Sequence, residues 1–138
     1  MRGSVLIVDD DYDISTIVAE VLTAEGFLVS ELSDPHPATI QAEVARLEPD
    51  VVLLDGGAGS GYGHSWVNAA WMRERSRPIP VIMFTGHTTE LAEAQIGLTE
   101  RSKRAAFVGF LSKPFDLGDL VEIVSRVVEE PSAVQTLL

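Results

Sequence analysis

Five residues that could do chemistry each follow a short apolar run: Asp9 and Asp10 after "VLIV", Asp55 after "VVLL", Thr85 after "VIMF" and Lys113 after "AAFVGFLS". If those runs are strands of one parallel sheet, all five converge on the rim at its carboxyl ends, where open sheets of this kind bind ligands. Three carboxylates forced together repel one another, and a hard divalent cation with oxygen ligands is the common remedy. Mg2+ suits best, because it accepts only a few protein carboxylates. A hydroxyl and an ammonium beside that ion would suit a transferring phosphoryl group, whose three equatorial oxygens could meet the metal, Thr85 and Lys113. The remaining carboxylate could then be the nucleophile.

The elements needed to position those residues can be read from period and punctuation. "SVLIV" predicts a strand, and Ile14, Ile17, Val18, Val21 and Leu22 then recur at helical spacing until Gly26. "FLVSEL" predicts a second strand, a helix entered through Pro37 carries Ile40, Val44 and Leu47 on one side, and "DVVLLD" predicts a third strand. Trp66, Val67, Ala70 and Trp71 suit a helix ending near "RSRPIP", and "VIMFTG" predicts a buried strand. Residues 89–104 read as a helix and "AAFVGFL" as a fifth strand; Asp116 caps a last helix with Leu117, Leu120, Val121, Val124, Val127 and Val128 inward, and Pro131 ends it. Five such alternations predict an α/β fold, a parallel sheet between two helix layers. One domain is expected over residues 1–130, with a short tail at 131–138.

Bulk composition narrows the function. The 138 residues suit one domain, and 46% hydrophobic content can fill one core. The absence of cysteine removes disulfides, thiolate metal sites and thiol redox chemistry. The apolar run Val5 to Val8 is too brief for a signal peptide or membrane span, so the chain reads as cytoplasmic, with no membrane partner. A net charge of −11 would repel a phosphate backbone, and direct nucleic-acid binding is not expected. The small cluster Arg101, Lys103 and Arg104 reads as an ordinary solvated face.

The stretch "DGGAGSGYGHS" places five glycines in the ten positions after Asp55. No G-x-G-x-x-G can be read in it, and no lysine follows as a Walker A loop requires, so a nucleotide cradle is excluded.

At "VLIVDDDYD", "DVVLLD", "VIMFTGHT" and "FLSKPF", taken in this order, the chain resembles the receiver domain of two-component response regulators, over residues 4–130. The resemblance implies a CheY-like, flavodoxin-like doubly wound (βα)5 sheet of strand order 2-1-3-4-5. It also implies Mg2+-dependent phosphorylation of Asp55 by a sensor histidine kinase or phosphotransfer protein. Under it Asp10 is a direct Mg2+ ligand, Asp9 a water-mediated one, Asp55 and the Gly57 backbone carbonyl further ligands, Thr85 the switch hydroxyl and Lys113 the phosphate-pairing cation. Such a domain assists its own phosphorylation and dephosphorylation without being an enzyme in the turnover sense. Its signal is expected to leave through the predicted fourth and fifth helices and the fifth strand, toward a downstream protein or a second copy of the chain.

Departures from the family pattern have physical consequences. Ala58, Gly59 and Tyr62 stand where receivers usually carry a Met-Pro pair and an acid, and only Gly63 fits. Each proline-to-glycine replacement adds about 1 kcal/mol of conformational freedom for ordering to remove, so weaker Mg2+ affinity is expected. Phe110 stands where many receivers have a switch tyrosine, so switching there would rest on ring packing. "TERSKRAA" lengthens the stretch between Thr85 and Lys113, and His87 occupies a position that influences phosphoryl lifetime in receivers.

Three rivals share parts of the pattern. Asp9, Asp11, Asp13 and Glu20 imitate positions of an EF-hand loop, but Ile14 replaces its glycine and a strand precedes it where a helix is needed. Asp9 and Asp11 also imitate the acids of haloacid-dehalogenase-type phosphatases, which need a substrate cap and later acids. A pseudo-receiver would keep the fold and bind a partner without phosphorylation.

Overall fold

The computed structural model describes residues 2–34, 36–55, 62–85, 108–112 and 115–129, with only the backbone described at 62–67, 85, 110 and 112. Five parallel strands, β1 (Ser4–Val8), β2 (Leu28–Leu32), β3 (Val51–Asp55), β4 (Val81–Thr85) and β5 (Gly109–Ser112), form one sheet in the order β2-β1-β3-β4-β5. The described helices are α1 (Tyr12–Ala24), α2 (Pro37–Leu47), α3 (Tyr62–Arg73) and α4 (Leu117–Glu129). The helix expected over 89–104, Pro131 and the tail at 131–138 lie outside the described residues. Expected and observed sheet orders coincide, and β5 is shorter than "AAFVGFL" predicts and reaches on to Ser112.

Strand alternation splits the core in two. Leu6, Val8, Val52, Leu54 and Met83 face α2 and α3, where Ile40, Val44, Ala69 and Met72 meet them. Val5, Ile7, Leu53, Ile82 and Phe84 face the opposite layer, built from Val18 and Leu22 of α1 and Leu120, Val124 and Val127 of α4. β1 and β3 are apolar on both sides because both sides are covered. On the α4 side Gly109 lies close under Ile123: a Cβ there would come 2.6 Å from the Ile123 Cδ1, so the tip of that side chain would have to shift.

The helix boundaries follow from local chemistry. Asp11 caps α1, its Oδ1 accepting from the N–H groups of Asp13 at 3.1 Å and Ile14 at 3.3 Å. Gly26 then takes φ +99°, a conformation that suits glycine after a helix end. Pro37 opens α2 behind the His36 cap, and Asp116 Oδ1 accepts from Gly118 and Asp119 to open α4. α2 ends without a glycine: Glu48 takes a left-handed φ of 45° while its carboxylate is gripped by Arg75 and approached by Arg77. Arg75 also lies over the Trp71 ring, 5.3 Å from its centroid.

Three helix faces differ from expectation. In α1, Ile17 is 49% exposed, and the inward place next to Val18 belongs to Ser15, whose hydroxyl donates to Glu31 at 2.7 Å. In α4, Leu117, the first residue of the helix, is exposed. Among the described side chains of α3 the buried ones are Asn68, Ala69 and Met72, Ala70 and Trp71 are partly covered, and those of Trp66 and Val67 lie outside the described residues. Met72 is fixed by its carbonyl as well, which accepts from Ile79 N–H at 3.2 Å.

Candidate functional site

The direction of winding reverses between β1 and β3, and at this switch point the chain leaves the sheet at Asp9 and Asp55. Val8 is the register partner of Leu54, so the next residues, Asp9 and Asp55, emerge side by side. Carboxylate oxygens of Asp9, Asp10 and Asp55 lie within 4.8 Å of one another. Asp9 is 2% exposed and Asp55 8%, whereas Asp10 faces solvent. Two buried acids and one exposed acid thus share the rim.

Backbone bonds orient this group. Asp9 N–H donates to the Leu32 carbonyl at 3.1 Å, and its Oδ1 accepts from Asp11 N–H at 2.9 Å. The three successive acids therefore divide their work: Asp9 is buried on the rim, Asp10 projects into it, and Asp11 caps α1. Asp11 is thereby removed from the acid pair that a dehalogenase-type phosphatase would use. The EF-hand reading fails on geometry too, because residues 12–20 are helix rather than a loop.

Nearby, the loop after β2 carries a second ordered acid. Asp34 Oδ1 accepts from His36 N–H at 2.9 Å and Oδ2 from the Thr39 hydroxyl at 2.9 Å, and these bonds hold the carboxyl below its ordinary value.

The donor set fits a hard divalent cation, since it consists of carboxylate oxygens alone and brings three negative charges to one point. Thr85 ends β4 one step beyond Phe84, the register partner of Asp55, and pairs with Ser112 of β5. The Thr85 side chain, Gly57, His87 and Lys113 lie outside the described residues, as does the Phe110 side chain; the Phe110 backbone is in β5 opposite Met83. Gly63 is the second residue of α3, and the glycine run 56–61 is outside the described residues. Phe115 was not singled out in the sequence: its ring packs on Phe84 with centroids 4.9 Å apart and planes tilted by 35°. The aromatic residue straight after "KP" is the signal that could have found it. Among the described residues, no helix is long and apolar enough to cross a membrane.

A parallel sheet of this order, with acids gathered at its switch point, defines a doubly wound α/β protein, and comparison with known proteins gives the family. The family model described as response regulator receiver domain matches residues 5–125, and the chain belongs to that family. It is 35% identical to the nitrogen assimilation regulatory protein NtrX of Azorhizobium caulinodans, over 94% of this chain and 27% of that protein. It is 31% identical to the transcriptional regulatory protein PdtaR of Mycobacterium tuberculosis, over 90% of this chain and 56% of the relative. The chain therefore spans only part of the length of these relatives. Among solved structures, the chemotaxis response regulator CheY4 of Vibrio cholerae superposes with a TM-score of 0.73 at 23% identity, covering 92% of this chain and 99% of that one. NtrX from Brucella abortus gives a TM-score of 0.78 at 22% identity, over 99% of this chain and 30% of its own. These likenesses support the CheY-like fold.

Proposed function

We propose that this receiver domain accepts a phosphoryl group on Asp55 from the phosphohistidine of a sensor histidine kinase or phosphotransfer protein, in a Mg2+-dependent reaction, and thereby changes conformation. The carrying observation is the convergence of Asp9, Asp10 and Asp55 within 4.8 Å, with Asp55 at a strand end and 8% exposed. An Asp55 carboxylate oxygen attacks phosphorus in line. The new O–P bond forms as the donor's N–P bond breaks, and its electron pair returns to the imidazole nitrogen. Asp9 and Asp10 hold the cation, and Mg2+ when bound supplies positive charge against the carboxylates and the phosphoryl oxygens. Lys113 and Thr85 pair with the remaining oxygens, and the Gly57 carbonyl joins the metal ligands. Water attack on the acyl phosphate returns Asp55 to a carboxylate and releases inorganic phosphate, so the domain resets itself and is not a turnover enzyme.

Thr85 and Phe110 report the modification to the surface made by the predicted 89–104 helix, β5 and α4, where a downstream protein or a second copy binds. The test is intact mass after incubation with acetyl phosphate, with and without Mg2+, beside Asp55→Asn. One added phosphoryl that needs both Mg2+ and Asp55 is expected. No gain at any Mg2+ concentration would leave a pseudo-receiver instead.

A further inference from the structure

The last two residues of β2 hold the acids of the rim from two sides. Leu32 does so through its carbonyl, which accepts from Asp9 N–H at 3.1 Å. Glu31 does so through α1, its Oε1 accepting from the Ser15 hydroxyl at 2.7 Å. Ser15 N–H in turn donates to the Asp11 carbonyl at 3.0 Å, and Asp11 N–H donates to Asp9 Oδ1 at 2.9 Å. These bonds close a ring that runs from Asp9 to Leu32, Glu31, Ser15, Asp11 and back to Asp9, with Asp10 on the chain between its two ends. The bond between Ser15 and Glu31 is the one link of this ring made by two side chains. Ser15 is 4% exposed on the helix face that also carries Val18 and Leu22, so its hydroxyl is directed inward. Strand alternation turns Glu31 to the same side of β2 as Val29, which packs against the layer containing α1.

We propose that Ser15 and Glu31 are positioning residues for the cation site, their bond setting the spacing of the rim carboxylates and thereby a preference for Mg2+ over the larger Ca2+. This deepens the function proposed above and rests on it. The grouped donors are Asp9, Asp10 and Asp55, and the positioning pair reaches them only through Asp11 and Leu32. With the ring closed, the first turn of α1 cannot slide along β2 without breaking the Ser15–Glu31 bond, and Asp10 is held between two anchored residues. With it open, Asp10 follows a helix end that is free to shift against the strand. Mg2+ demands near-octahedral oxygen geometry at about 2.1 Å, whereas Ca2+ accepts longer and more varied contacts, so loosened carboxylates cost Mg2+ more. Groups that orient metal ligands from behind change affinity on the order of ten- to a hundredfold, and this pair acts one bond further away.

The experiment is calorimetric titration of the full chain with Mg2+ alone and with Ca2+ alone, for the parent, Ser15→Ala, Glu31→Ala, the double variant and Glu31→Gln. Each alanine substitution is expected to weaken Mg2+ binding roughly fivefold and Ca2+ binding less than about twofold. The double variant should be no weaker than the weaker single one, because the same bond is lost in all three. Glu31→Gln keeps the oxygen acceptor and should retain the parent ratio of Mg2+ to Ca2+ affinity. Equal weakening by glutamine and alanine would assign the effect to the lost negative charge and overturn the positioning role. Unchanged Mg2+ binding in the alanine variants would overturn it too, as would a loss of Mg2+ matched by an equal loss of Ca2+. If Ser15→Ala does not unfold cooperatively by circular dichroism, the two Glu31 variants, on the edge strand, decide the question alone. A parent chain that binds no Mg2+ would overturn the cation reading of the rim itself, and the parent titration separates that failure from the others.

Discussion

The backbone N–H of Asp11 donates to Oδ1 of Asp9 at 2.9 Å, so the buried acid of the rim is steadied by the residue that caps the neighbouring helix. The two roles of Asp11 use different atoms. Its side chain serves α1 and its backbone serves Asp9. Replacing Asp11 by alanine should therefore cost about 1 kcal/mol of stability through the lost cap, yet leave phosphoryl uptake on Asp55 within about twofold. Asn at this position should restore stability. Urea unfolding together with the acetyl phosphate assay checks both halves; a large loss of uptake would show that the Asp11 carboxylate belongs to the site.

Charge crowding at the rim predicts opposite effects of one substitution with and without cation. Asp10 stands with Asp9 and Asp55 inside a 4.8 Å group, so Asp10→Asn removes repulsion and should raise the melting temperature in EDTA. The same change should weaken the stabilisation that added Mg2+ gives, because binding to the folded state alone raises stability by RT ln(1 + c/Kd), where c is the free Mg2+ concentration, and this falls as Kd rises. Thermal denaturation across a Mg2+ series measures both; a variant that is less stable in EDTA would contradict the crowding.

Asn68 is buried, and among the described residues neither its Nδ2 nor its Oδ1 has a hydrogen-bond partner. A buried amide without partners carries a desolvation cost that a similarly sized apolar side chain avoids. Asn68→Leu should thus stabilise the fold by roughly 1 kcal/mol or more, moving the urea midpoint upward with the slope unchanged. A destabilised variant would indicate an ordered water bound to the amide.

The contact between Arg75 and Glu48 gives a pH dependence of fixed sign. Its hydrogen bonds hold the Glu48 carboxyl below the ordinary glutamate value of 4.5. The folded state therefore binds that proton less readily than the unfolded chain. Its contribution is complete above about pH 4.5 and disappears as the pH falls through the lowered value. Glu48→Gln should therefore lower stability slightly at neutral pH and leave it unchanged at the acid end, flattening the acid limb, with a small amplitude because exposed pairs are screened by solvent. A parallel downward shift of the whole curve would assign the effect to the left-handed backbone at Glu48 instead.

Much of the architecture was legible in the apolar runs, because strands covered on both sides must be apolar throughout, and each was followed by a helix-period stretch. The acids at the ends of β1 and β3 were legible for the same reason: a charge straight after a buried run has to leave the sheet at its rim. The face of α3 was legible only in part. Trp71 packs against the core as its spacing suggested, partly exposed beneath the Arg75 guanidinium, whereas Ala69 and Met72, the buried positions beside it, were not singled out; the Trp66 and Val67 side chains lie outside the described residues. An aromatic ring under a cation satisfies water and protein at once, so apolar counting overstates its burial. Ser15 and Asn68 were invisible for a related reason, since polar residues are assigned outward unless a partner is known. Glu48 has no sequence signature at all: its left-handed turn is sustained by arginines 27 and 29 positions later.

The alternation that sends Leu53 to one half of the core and Leu54 to the other also makes β3 a measuring rod. Each residue advances the chain by about 3.3 Å and turns the next side chain to the opposite face. One residue inserted into β3 would exchange its two apolar sets and carry Asp55 a step past Asp9, whereas two would restore the packing but leave the carboxylates about 7 Å out of alignment. Strand length here is therefore a quantity that function reads directly, and the sheet can absorb a change in composition far more readily than a change in count.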